Sequence, residues 1–83
     1  MNNNEFVIFS VSRTITQRIM NVLIERKLDI PVYEFRYSDV LDKAHEMIQS
    51  GTKIIISRGG TAALLRSNIT IPVIEIAHDF HGV

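Results

Sequence analysis

Two short polar segments of this chain carry the residue types that bind anions. The first follows an apolar run near the amino terminus and reads Ser10-Val11-Ser12-Arg13-Thr14. The second follows another apolar run and reads Ser57-Arg58-Gly59-Gly60-Thr61. Each segment supplies hydroxyl groups and one arginine, and these side chains donate hydrogen bonds to carboxylate and phosphate oxygens.

The glycine pair of the second segment adds the backbone as a source of donors. Gly59 and Gly60 let the chain turn sharply and come close to a ligand, and the helix predicted to follow presents unpaired N–H groups at its positive end. We therefore predict that a small anionic metabolite is bound by Ser12, Arg13, Ser57, Arg58, Gly59, Gly60 and Thr61.

Each of these features also has a purely structural interpretation. A glycine pair can serve only a turn, Ser12 or Thr14 can be no more than a helix cap, and an arginine near a strand end can be a solvated surface charge. Neither segment matches G-x-x-x-x-G-K-[ST] or G-x-G-x-x-G, so we predict no nucleotide cofactor. The coincidence of both segments at one predicted crevice is what favours a ligand site.

Metal binding and catalysis have weaker support in the sequence. His78, Asp79 and His81 form a short His-rich stretch, but there is no cysteine beside them and the set is incomplete for a structural zinc site. Glu34 and Glu75 lie in predicted strands with no evident base, nucleophile or metal partner. We therefore predict no metal site and no enzyme activity.

Four apolar segments predict the strands that position these residues. They lie near 5–10, 31–36, 53–57 and 72–76. The first is an uninterrupted apolar run, typical of a central strand buried on both faces, whereas the second alternates in part and belongs nearer an edge.

Helical spacing of apolar residues predicts a helix in each interval. The first is expected over about 15–27, entered through a capping box of Thr14 and Gln17. The second is expected to be capped by Ser38 and stopped by Gly51, and a short third helix follows the glycine pair.

A helical crossover between all successive strands predicts an α/β fold with a three-layer parallel sheet. We expect the flavodoxin-like strand order 2-1-3-4. Ligands of such sheets bind at the carboxyl ends of the strands, where the strand order reverses. The two polar segments should therefore face each other between strands one and three.

Composition limits the classes of partner. Nine basic residues balance nine acidic ones among 83, which argues against direct nucleic-acid contact by this segment. No stretch reaches membrane-spanning length, and the amino terminus does not have the pattern of a signal peptide, so we expect a cytoplasmic protein without membrane contact.

The sequence of strand three and its loop, Ile54-Ile55-Ile56-Ser57-Arg58-Gly59-Gly60-Thr61-Ala62, is followed by Ile71-Pro72-Val73-Ile74-Glu75-Ile76. In both segments the chain resembles the N-terminal sensory domain of the propionate catabolism activator (PrpR-type) family. The resemblance implies one lobe of a two-lobed, periplasmic-binding-protein-like domain. In that family the domain precedes an ATPase module and a helix-turn-helix module in sigma-54-dependent transcriptional activators, and the type member senses the tricarboxylate 2-methylcitrate.

The resemblance makes residues 1–83 a truncated first lobe, with the second lobe, the ATPase and the DNA-binding modules absent. The leading hypothesis is an effector-sensing input domain of a bacterial transcriptional regulator. An enzyme half-domain and a protein-interaction module remain as alternatives, although the lack of acidic residues after strand one weighs against a receiver domain. Uncovered apolar surface and an unpaired strand edge predict a homo-oligomer.

Overall fold

The structure is a computed structural model and describes residues 5–76. Four strands alternate with three helices in this part of the chain, and a 3-10 turn precedes the second helix. The strands are β1 (Phe6–Ser10), β2 (Val32–Glu34), β3 (Ile54–Arg58) and β4 (Val73–Ile76). The helices are α1 (Arg13–Arg26), α2 (Val40–Gln49) and α3 (Gly59–Asn68), and the 3-10 turn spans Tyr37–Asp39.

The strands form one sheet in the order β2-β1-β3-β4, and every neighbouring pair is parallel. This confirms the predicted α/β class, the parallel pairing and the strand order. β1 is an inner strand, and its residues from Val7 to Ser10 are buried. β2 lies at an edge, in agreement with its partly alternating sequence.

The main core lies between one face of the sheet and two helices. Val7, Phe9 and Ile55 point from the sheet to this face, where they form a cluster with side chains of α2 and α3. Neighbouring strand residues point to opposite faces, so Ile8 faces the other way, where it lines a groove together with Ile19 of α1. The sheet is thus the middle of three layers, with α1 on one side and α2 and α3 on the other.

β2 is shorter than the 31–36 segment predicted from the sequence. Its regular pairing with β1 ends at Glu34, and the ring of Phe35 then packs edge-on against Phe9, with the ring centroids 5.0 Å apart. Burial of this ring against the core explains why an apolar residue follows the strand without extending it.

Two predicted helix starts are wrong. α1 begins at Arg13 with Ser12 as its N-cap, so the proposed capping box of Thr14 and Gln17 lies inside the helix. Ser38 lies within the 3-10 turn, and α2 begins only at Val40. Near each helix start, several neighbouring residues in the sequence have hydroxyl or carboxyl side chains that can cap a helix. The path of the preceding chain decides which of them precedes the first helical turn.

The predicted stop of α2 is confirmed. The helix ends at Gln49, and Gly51 has a φ of 114°. That left-handed conformation favours glycine because other residues meet a steric penalty there. The backbone N–H of Gly51 donates to the carbonyl of Ile48 at 3.1 Å, which closes the end of the helix.

Candidate functional site

The sheet divides into two halves at the carboxyl ends of its strands. Pairing of β1 with β3 extends to Ile8 and Ile56, whereas pairing of β1 with β2 continues to Ser10. Pairing of β3 with β4 likewise continues, to Arg58. Strand order reverses at this point, and in such sheets it is where ligands bind.

Two helices start at this division. α1 leaves the end of β1 and α3 leaves the end of β3, and these strands are neighbours in the sheet. The first N–H groups of a helix have no partner within it and carry partial positive charge. Apart from Ser57, which lies within β3, the predicted site residues therefore lie at the starts of these two helices, at the carboxyl ends of the strands.

A cluster of hydroxyl groups organises the start of α1. The Ser12 hydroxyl oxygen accepts a hydrogen bond from the backbone N–H of Ile15 at 3.4 Å. The Ser10 hydroxyl donates to the Ser12 carbonyl at 3.0 Å, and the Thr16 hydroxyl lies 2.9 Å from both that carbonyl and the Ser10 hydroxyl oxygen. Ser12 thus has the structural role of a helix cap. Thr16 also belongs to this hydroxyl cluster, although the sequence analysis did not predict a role for it.

Arg13 has an acidic partner on a neighbouring strand. Its Nε donates to Oε1 of Glu34 at 3.1 Å. Glu34 is the residue of β2 that stands opposite Ser10 in the parallel pairing. The ion pair therefore joins the start of α1 to the end of β2.

The Ser57 side chain is engaged within the sheet. Ser57 is only 1% exposed, and its hydroxyl donates to the backbone carbonyl of Phe9 at 3.1 Å. Thr61 is also buried, in the first turns of α3. The structure therefore directs the Ser57 hydroxyl to β1, and a place for Ser57 or Thr61 in a ligand site stays a prediction.

β3 passes into α3 without the intervening loop expected from the sequence. Arg58 is both the last strand residue and the N-cap of α3, and it makes no side-chain cap hydrogen bond. The turn is made at Gly59, whose φ of 56° lies in the left-handed region. This sharp reversal is what glycine permits at low steric cost, and it explains why the loop is absent.

Gly60 differs from its neighbour because nothing in the described chain requires a glycine there. It is an exposed helical residue outside the left-handed region, and an added Cβ would meet no atom within 4 Å. A Cβ at Gly59 would also meet open space. The backbone at the start of α3 is therefore exposed at the carboxyl ends of the strands.

Two open grooves among the described residues flank α1, and both are lined mainly by apolar side chains. One, of about 210 Å³, is lined by Ile8, Ile19, Val22, Leu23 and Ile76. The other, of about 270 Å³, lies between the end of α1 and the beginning of β2. Neither groove is lined by any of the predicted anion-binding residues.

Metal ligands are not grouped in the described part of the chain. Among residues 5–76, no three His, Cys, Asp or Glu side chains are close enough together to hold an ion. The stretch with His78, Asp79 and His81 lies outside the described residues. Glu75, like Glu34, pairs with an arginine, and its partner is Arg66 at 3.3 Å.

The fold defines a small parallel α/β domain whose sheet divides at the carboxyl ends of its strands. The family model described as propionate catabolism activator matches residues 24–80, and the chain belongs to that family. The family makes it a regulatory N-terminal domain of such an activator. No curated protein and no solved structure gives a significant match.

The family match covers the two halves of the site unequally. Residues 57–61 lie within the matched region 24–80, whereas Ser12 and Arg13 precede it. The start of α1 therefore enters the candidate site on its geometry alone.

Within residues 5–76, no helix is both long and apolar enough to cross a membrane.

Proposed function

We propose that this chain is an effector-sensing part of a sigma-54-dependent transcriptional regulator and acts in the cytoplasm without enzyme activity. Its effector is a small anionic metabolite such as a carboxylate. The observation that carries the proposal is that α1 and α3 both start from the carboxyl ends of neighbouring strands, where the pairing of β1 with β3 ends. Membership of a regulator family supports it independently, because a regulatory domain needs a signal to respond to.

The anionic character of the effector follows from the donors at this edge. Arg13 and Arg58 contribute guanidinium groups, and the exposed backbone at Gly59 and Gly60 contributes N–H groups near the positive end of α3. A carboxylate or phosphate group can accept from both kinds of donor. Glu34 offsets part of this positive charge through its ion pair with Arg13.

We further propose that residues 1–83 form the first lobe of a two-lobed sensory domain and that the chain self-associates. Several apolar side chains are exposed on the described surface. Ile24 on α1 is 72% exposed, Phe6 on β1 43% and Ile74 on β4 48%. Surfaces of this kind are usually covered by another lobe or another chain.

An NMR titration of the 83-residue chain tests the effector-sensing proposal. Citrate, succinate and inorganic phosphate are added separately to the ¹⁵N-labelled protein, with glycerol as an uncharged control and constant ionic strength. The proposal expects saturable shifts at Gly59, Gly60 and Arg13, with none at Asn68 in the last turn of α3. Absence of saturation with every anion at millimolar concentrations would contradict it.

A further inference from the structure

The ion pair between Arg13 and Glu34 uses only one nitrogen of the guanidinium group. Nε donates to Oε1 of Glu34 at 3.1 Å, across a separation of 21 residues. A guanidinium has five N–H donors, and its two terminal nitrogens form a second edge that binds carboxylates in a bidentate manner. The contact at Nε therefore leaves the terminal edge of Arg13 for another anion.

Glu34 is the better-anchored member of this pair. Its backbone stands opposite Ser10 in the β1–β2 pairing, and the next N–H, that of Phe35, donates to the Ser10 carbonyl at 2.9 Å. The Glu34 side chain is 33% exposed, whereas that of Arg13 is 76% exposed. A long exposed side chain loses conformational freedom when a ligand holds it, and a fixed partner reduces that loss.

We propose that Glu34 is a positioning residue for ligand binding: it holds Arg13 through Nε so that the terminal nitrogens face an anion at the crevice. This inference rests on the proposed anion site. Stability of the fold alone gives little reason for the pair, because ion pairs as exposed as this one contribute little to the free energy of unfolding. The role of Glu34 is therefore to orient a donor, with the ligand accepting from Arg13 and not from Glu34.

Two substitutions separate orientation from charge. Glu34→Gln and Glu34→Ala both remove the negative charge, so any gain in anion affinity from reduced repulsion is common to them. Only glutamine keeps an oxygen that can accept from Nε of Arg13. Citrate should therefore bind the Ala variant about two- to tenfold more weakly than the Gln variant, as expected for one lost orienting hydrogen bond.

The measurement is an NMR titration with citrate at constant ionic strength, repeated in an Arg13→Ala background. The difference between the Gln and Ala variants should disappear there, because no guanidinium remains to be oriented. Glu75→Gln, which alters the pair with Arg66 between α3 and β4, is the matched control and should leave citrate affinity unchanged. Thermal unfolding of each variant identifies any loss that comes from misfolding.

The Arg13 Nε–Hε signal provides a readout without ligand. Its chemical shift should differ from that of a solvated arginine in the wild type and in Glu34→Gln. In Glu34→Ala it should move towards the value of a solvated arginine. If the wild type binds none of citrate, succinate and phosphate, the proposed function fails and this inference fails with it. If the wild type binds but folded Gln and Ala variants bind equally, only the role of Glu34 is overturned.

Discussion

The hydroxyl of Ser57 donates to the backbone carbonyl of Phe9 at 3.1 Å, directly after the last paired residues of β1 and β3. A side chain thus joins the two strands where their backbone pairing stops. Ser57 is the fourth residue of β3, and its side chain lies on the face that carries the main core. This buried contact therefore continues the link between β1 and β3 one residue beyond their backbone pairing.

Replacement of Ser57 by alanine should destabilise the domain. The change leaves the buried Phe9 carbonyl without the hydroxyl donor, and an unsatisfied buried acceptor costs roughly 1–3 kcal/mol. Urea unfolding followed by circular dichroism measures this loss. Ser67→Ala on the exposed side of α3 is the control and should change the free energy of unfolding by less than about 0.5 kcal/mol. Equal effects of the two substitutions would show that the Ser57 contact is dispensable.

The two adjacent glycines should respond differently to alanine. Gly59→Ala places a Cβ on a residue with φ of 56° and should cost about 1–2 kcal/mol. Gly60→Ala meets open space in a helix and should be neutral or stabilising by up to about 1 kcal/mol. Chemical denaturation of both variants checks this order. The reverse order would mean that the turn into α3 is made at Gly60.

Arg58→Ala should weaken binding of a carboxylate effector. Loss of a charge-assisted hydrogen bond costs roughly 1.5–3 kcal/mol, or about tenfold or more in affinity. Titration calorimetry with di- and tricarboxylates measures the change, and Arg13→Ala should act in the same direction. Arg18→Ala, at an exposed position of α1, is the matched control. Unchanged affinity in folded Arg58 and Arg13 variants would favour the purely structural interpretation of both segments.

Self-association should depend on the exposed apolar surface of α1. Ile24 is 72% exposed, so Ile24→Glu removes apolar surface without opening a cavity. Sedimentation equilibrium should show that the average mass of the wild type rises with concentration and that this variant shifts towards monomer. Arg18→Glu introduces the same acidic side chain at another exposed position of α1. This control should still associate if Ile24→Glu acts by removing apolar surface and not by adding negative charge. A compact wild-type monomer at high concentration would contradict the prediction.

The sequence was sufficient to predict the sheet. β1 and β3 are uninterrupted apolar or β-branched runs, and a helical segment separates each strand from the next. These are properties of neighbouring residues, because periodicity and local preference act over a few positions. Parallel pairing, the inner place of β1 and the edge place of β2 followed from them, and all three agree with the structure.

The partners of individual side chains were decided by the tertiary structure. Glu34 meets Arg13 across 21 residues, and Ser57 meets Phe9 across 48. Such contacts depend on which strands are neighbours, on their register and on the face to which each residue points, and a shift of one residue reverses that face. The sequence by itself therefore determined which residue types reach the carboxyl ends of the strands, whereas only the folded chain decided that Ser57 donates to Phe9 and that Glu34 pairs with Arg13.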